Sequence, residues 1–124
     1  MSGGRSHGVQ PFLNAIAGIV RALQNERHMR FHFAAALVVI VIGAWLRVKA
    51  HDWLWLSVAI TGVWVSELFN TAIERTVDLA SPDIHPLAKA AKDTAAGAVL
   101  VAALFAVVVG AIVLGPPLWK ACFQ

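Results

Sequence analysis

The stretch "WLWLSVAITGVWVSELFNTAIERTVDLA", Trp53–Ala80, decides how this chain folds. Its first half is almost continuously apolar, yet its second half keeps Glu67, Asn70, Glu74 and Asp78. At about 100° per residue, a helix places these four within roughly 80° of one another, on one face. Such a helix is about 42 Å long at ~1.5 Å per residue, longer than the ~30 Å hydrocarbon core of a bilayer. With Trp53 at one surface, Glu67 falls inside the bilayer, while Glu74 and Asp78 reach the opposite interface. Ionisable groups at that depth are costly and face other protein rather than lipid.

The rest of the chain agrees with a membrane setting. Of its 124 residues, 59% are hydrophobic and 14% charged, against about 45–50% and about 25% in soluble domains. The five Trp and no Tyr fit a protein anchored at membrane–water interfaces. We expect an all-α integral membrane protein, one domain over residues 1–124, with three spans at 31–47, 53–80 and 87–115. "VKAHD" and "SPDIHP" connect the spans, and "GPP" at Gly115–Pro117 is expected to stop the last helix. Ahead of the first span, Val9, Phe12, Leu13, Ile16, Val20 and Leu23 recur at helical spacing. Opposite them run Gln10, Asn14, Gly18, Arg21 and Asn25, which predicts an amphipathic helix over 9–28 lying in the interface.

Several classes drop out. Cys122 is the one cysteine, so neither an intramolecular disulfide nor a cysteine zinc site is expected. The opening "MSGGRSHGVQP" has no apolar core followed by a cleavage site, and no signal peptide is expected. A net charge of +3 without a basic run gives no reason to expect nucleic acid. Arg5, Arg21, Arg27, Arg30, Arg75, Lys89 and Lys92 fall on one side of a three-span arrangement, and Arg47, Lys49 and Lys120 on the other. Seven against three predicts a cytoplasmic N-terminal side. Every carboxylate except Asp52 lies on or toward that side.

Three chemistries can use a row of carboxylates at headgroup depth. An ion-coupled transporter needs them near the midplane, where only Glu67 qualifies. A structural protein can use them between helices, but several acids repel one another without cations. A metal-dependent enzyme fits better, because Mg²⁺ prefers a few carboxylates together with phosphate oxygens. Lys89 and Lys92, across the short connector, can neutralise phosphate, and a spare carboxylate can deprotonate a hydroxyl. No P-loop or kinase-type glycine loop occurs.

"ELFNTAIERTVDL", Glu67–Leu79, followed by "HPLAKAAKDTAAGAV", His85–Val99, resembles the prokaryotic diacylglycerol kinase family. That family's pattern is E-x-x-N-[TS]-A-I-E-x-x-V-D, with A-K-D about a dozen residues later. The similarity runs from "FLNAIAGI" at Phe12 through the third span. It implies a homotrimeric membrane kinase that moves the γ-phosphoryl group of MgATP to a lipid alcohol at sites built between neighbouring protomers. Carried over, Glu26 and Glu74 would hold the metal, and Glu74 would be the base toward the lipid hydroxyl. Asn70 and Lys92 would contact phosphates, with Asp78, Asp93 and Glu67 completing the polar site.

Within the family, the undecaprenol kinases resemble this chain most. Their E-x-N-x-x-x-H element is met by Glu26 and His32, although His28 replaces the Asn. Diacylglycerol-preferring relatives carry an acid where His32 stands and a Ser where Ala96 stands. His32, Glu67 and Ala96 are therefore the expected lipid-facing positions. His7, His28, His51 and His85 have no metal-ligand spacing, and His85 beside Pro86 reads as a turn residue. Trp45, Trp53, Trp55 and Trp119 read as interface anchors, and Trp64 as deeper packing.

Overall fold

A computed structural model describes residues 8–124. Arg5 and His7 lie outside the described residues. Four helices follow one another: α1 (Gln10–Asn25), α2 (Arg27–Leu46), α3 (Ala50–Ala80) and α4 (Pro86–Phe123). The last three are each long and apolar enough to cross a membrane, and no strand occurs among the described residues. The protein is an all-α membrane protein.

Proline opens two of these helices. Pro11 and Pro86 sit in the first turns of α1 and α4, where a missing N–H costs nothing. Between α1 and α2 the chain breaks only at Glu26, whose backbone is extended (φ −110°, ψ 117°). Arg30 closes this corner: its Nη1 donates to the Gln24 carbonyl at 2.8 Å, satisfying an acceptor at the end of α1. Val9, Phe12, Leu13 and Ile16 remain exposed, leaving α1 with an uncovered apolar stripe of the kind that enters a lipid interface.

Helices α3 and α4 form the antiparallel centre. Leu56 and Ala59 of α3 bury against Val109, Val113 and Leu114 of α4, with Val39, Ile42 and Leu46 of α2 packed alongside. Much of the outer surface is apolar, including Val41, Val101, Val107 and Ile112. A protein in water does not expose apolar surface so extensively; this surface suits a bilayer.

Two expectations change. The last helix does not stop at "GPP": Pro116 and Pro117 lie inside α4, which continues to Phe123. The two rings remove the donors to the carbonyls of Ile112 and Val113, but proline's fixed φ is itself helical. Burial of Val113 and Leu114 just before them, and the Trp119–Phe123 ring contact at 4.5 Å just after, hold the helix on both sides. Trp53 is also more than an interface anchor. It is half-buried and packs on Gly43 of α2, where a Cβ would come within 2.8 Å of the indole. Trp45, Trp55 and Trp119 are exposed.

The α2–α3 turn is tight. Arg47 adopts a left-handed conformation (φ 54°, ψ 47°). The amides of Arg47 and Val48 return to the Ala44 and Gly43 carbonyls, each at 3.2 Å. This is the usual way a helix end satisfies its last acceptors, although glycine is the commoner residue at the left-handed position.

Candidate active site

Helix α3 runs unbroken through the polar stretch, so the acidic row follows one face from the interior to the α3–α4 turn. Glu67, Asn70 and Thr71 are only 3%, 8% and 3% exposed. Glu74 is half-buried and Asp78 exposed. Each is met from a different direction.

At the deep end, His32 of α2 brings Nε2 to 3.6 Å from Glu67 Oε2. His32 also lines an apolar groove of about 290 Å³ with Phe31, Val39, Ile60, Val63 and Trp64. His32 therefore stands between this groove and the buried Glu67 carboxylate. One turn further along, Asn70 Nδ2 donates to Glu74 Oε1 at 3.5 Å, a long bond that still steadies the carboxylate. Glu26, at the α1–α2 corner, reaches Arg75 with Oε1 3.5 Å from Nη2. That contact brings the N-terminal corner to the level of Glu74, the residue before Arg75 in sequence.

At the shallow end, Lys92 of α4 binds Asp78 across the turn. Asp93 points elsewhere, accepting from Lys89 at 2.5 Å, one turn away along α4. His85 serves the backbone locally, its Nδ1 accepting the Leu87 amide at 3.1 Å and capping α4. Asp78, Ser81, His85, Lys89, Lys92 and Asp93 surround a cavity of about 310 Å³. Ala96 is exposed.

His32 thus meets Glu67, Asn70 meets Glu74 and Lys92 meets Asp78 along one face of α3, with Glu26 drawn to the level of Glu74, while Asp93 pairs with Lys89 at the rim of the cavity beside the turn. Thr71 and Arg75 join them without having been singled out as site residues from sequence. Thr71 was detectable, because at +40° from Glu67 it shares the acidic face. The pairing of Arg75 depends on which helix crosses which, and no spacing encodes that.

No group of three or more His, Cys, Asp or Glu side chains converges among the described residues. The donor set therefore does not suit a dedicated protein cage for a metal. It does suit Mg²⁺, which takes one or two carboxylates and fills its remaining positions with water and phosphate oxygens.

An all-helical polytopic protein with a buried carboxylate near an apolar groove, and lysines over a polar cavity at the α3–α4 turn, has the features of an enzyme that handles polar groups at a membrane surface. Residues 13–114 match the family described as prokaryotic diacylglycerol kinase, and the chain belongs to that family. It is 43% identical to the undecaprenol kinase of Bacillus subtilis over 107 residues, covering 86% of this chain and 87% of that one. The same identity relates it to a diacylglycerol kinase of Synechocystis, over 86% of this chain and 62% of the longer relative. The diacylglycerol kinase of Escherichia coli is 36% identical over 97 residues, 78% of this chain and 80% of its own.

Proposed function

We propose that this protein is an ATP-dependent kinase that phosphorylates a membrane lipid alcohol, undecaprenol ahead of diacylglycerol. The observation that carries the reading is the continuity of one face of α3. It runs from an apolar groove, past buried Glu67 and half-buried Glu74, to Asp78 bound by Lys92. Such a face receives a lipid from the bilayer and a phosphorylated nucleotide from the water. Family membership and the likeness to the Bacillus subtilis undecaprenol kinase support the same choice.

In this reading the lipid chain lies along the groove, and its hydroxyl comes to Glu67 and Glu74 beside His32. Glu74, steadied by the Asn70 amide, takes the hydroxyl proton as the oxygen attacks the γ-phosphorus. The second Asn70 amide proton is free to serve a phosphate oxygen. Lys92 releases Asp78 to neutralise the transferred group, and Asp78 and Asp93 line the nucleotide side of the cavity. Glu26 and Glu74 would hold Mg²⁺, which when bound offsets charge on the phosphates. Phosphoryl transfer asks mainly for such positioning and electrostatics.

Three spans cannot enclose a lipid, a nucleotide and a metal by themselves. The working unit is a homotrimer with sites between protomers. The Lys and Arg distribution supports an orientation with the α1–α2 corner and the α3–α4 turn on the cytoplasmic side of a bacterial inner membrane. His32 and Ala96, where relatives that prefer diacylglycerol carry an acid and a serine, favour the isoprenoid alcohol.

The test is transfer of labelled γ-phosphate from MgATP to undecaprenol and to diacylglycerol in the same detergent micelles. Greater transfer to undecaprenol, lost in Glu74→Gln, is the expected result. Preference for diacylglycerol would keep the kinase and overturn the lipid assignment. Transfer to neither lipid, from folded protein, would turn attention to Glu67 as an ion site.

A further inference from the structure

Glu26 and Arg75 form an ion pair between the α1–α2 corner and α3, with one oxygen, Oε1, 3.5 Å from one nitrogen, Nη2. The corner does not need this pair to hold its shape. Ala22 and Met29, on either side of Glu26, are buried, and Arg30 ties the corner to the Gln24 carbonyl at 2.8 Å. The pair itself is single and too long for a good hydrogen bond. Its Arg75 side chain is 46% exposed and its Glu26 side chain 27%, so water reaches both partners. Pairs of this kind contribute about 0–1 kcal/mol, and this one opens at little cost. Arg75 also has an acid in reach on its own helix. Asp78 is its i+3 neighbour, about 5–6 Å away between Cβ atoms, but Lys92 binds Asp78, and both line the cavity at the α3–α4 turn.

This end of α3 therefore gathers three carboxylates, Glu26, Glu74 and Asp78, and two cations, Arg75 and Lys92. The unmatched acid is Glu74, whose one hydrogen-bond partner among the described residues is the Asn70 amide. One surplus negative charge invites a further cation, and a guanidinium beside Glu26 competes with a metal for that carboxylate. Mg²⁺ is bound through carboxylates together with substrate phosphates, and a phosphate matches the fork of donors on a guanidinium. We infer that Arg75 is a phosphate-binding residue that pairs with Glu26 in the metal-free protein and passes to a nucleotide phosphate oxygen when Mg²⁺ takes Glu26. This rests on the lipid-kinase reading above and adds a residue to its nucleotide side. The exchange leaves neither Glu26 nor Arg75 without an opposite charge. Metal alone would free Arg75 with nothing to hold, and phosphate alone would strand Glu26, so the pair favours the two arriving together.

The test compares wild-type protein with Arg75→Gln, which removes the charge, and with Arg75→Lys, which keeps it, in one micelle system. Two affinities are measured without lipid substrate. That for Mn²⁺ alone is read from loss of the free-ion paramagnetic resonance signal, and that for the magnesium complex of a non-hydrolysable ATP analogue by calorimetry. We expect Arg75→Gln to bind Mn²⁺ alone about 2- to 5-fold more tightly, the worth of one weak competing pair. The same variant should bind the nucleotide complex about 10-fold more weakly, the low end for a charge-assisted hydrogen bond because the side chain is half exposed. Arg75→Lys should stay near wild type for Mn²⁺ and fall between the other two for nucleotide, because an ammonium lacks the guanidinium fork. Both thermal midpoints should stay close to wild type. Opposite signs for the two ligands are the signature, since an arginine that only shaped the corner would weaken both when removed. Weaker or unchanged Mn²⁺ binding by Arg75→Gln, or an unchanged nucleotide affinity, would overturn the proposal. So would an Arg75→Lys as impaired toward nucleotide as the glutamine variant, or a marked fall in the midpoint of Arg75→Gln. Wild-type protein that phosphorylates no lipid alcohol would overturn the kinase reading and this one with it, whereas an active wild type with an indifferent Arg75→Gln would overturn this one alone.

Discussion

Along α3, Leu56 and Ala59 bury apolar side chains against Val109, Val113 and Leu114 of α4. About two turns further on, the same helix buries Glu67, Asn70 and Thr71. The first region is apolar packing, beside the groove that Leu56 and Ala59 also line. The second carries polar atoms that the described chain leaves unpaired, Asn70 Oδ1 and Thr71 Oγ1 among them. A chain this small keeps such groups where a ligand or a neighbouring subunit completes them, because each costs stability while it waits. The apolar half holds the helices in place, and the polar half spends part of that stability on chemistry.

Substitutions that separate the two halves test this division. The largest effect belongs to the polar half: Glu74→Gln should lower lipid phosphorylation about 10²- to 10⁴-fold, the range for losing a positioned base, with little change in the thermal midpoint. A variant that lost activity only by unfolding would erase the distinction. In the apolar half, Leu114→Ala should cost about 2–5 kcal/mol of stability, read as a lowered midpoint in micelles, while the surviving folded protein keeps the wild-type KM for both substrates. Gly43→Ala presses a methyl group into the Trp53 ring and should cost about 1–3 kcal/mol, again without a change in KM. The smallest effect runs the other way. Arg47→Gly relieves the left-handed residue at the α2–α3 turn and should stabilise the protein by about 1 kcal/mol, measured by the same unfolding assay. A matching rise in activity would show that the two halves are coupled more tightly than their packing suggests.

Sequence and structure meet most closely along α3. An angle of about 100° per residue is enough to put Glu67, Asn70, Glu74 and Asp78 on one face, because all four lie on one helix and their relation is local. Local spacing does not say what meets them. The approach of His32 to Glu67, of Arg75 to Glu26 and of Lys92 to Asp78 depends on how separate helices cross. Asp93 shows the limit from the other side. Its place in the motif suggests a site residue, yet the lysine one turn before it on α4 is nearer than the row. Pro116 and Pro117 teach the same lesson for the backbone: a local stop signal gave way to packing on both sides of it.

The sequence by itself determined the membrane class, the helical periods, the acidic face and the family. Each of these follows from composition or from contacts between residues a few positions apart. Only the tertiary structure decided which charges pair, which polar atoms are left without partners, and which side chain stands between the apolar groove and the buried carboxylate. Those outcomes depend on distances between helices, which no single helix's pattern can specify.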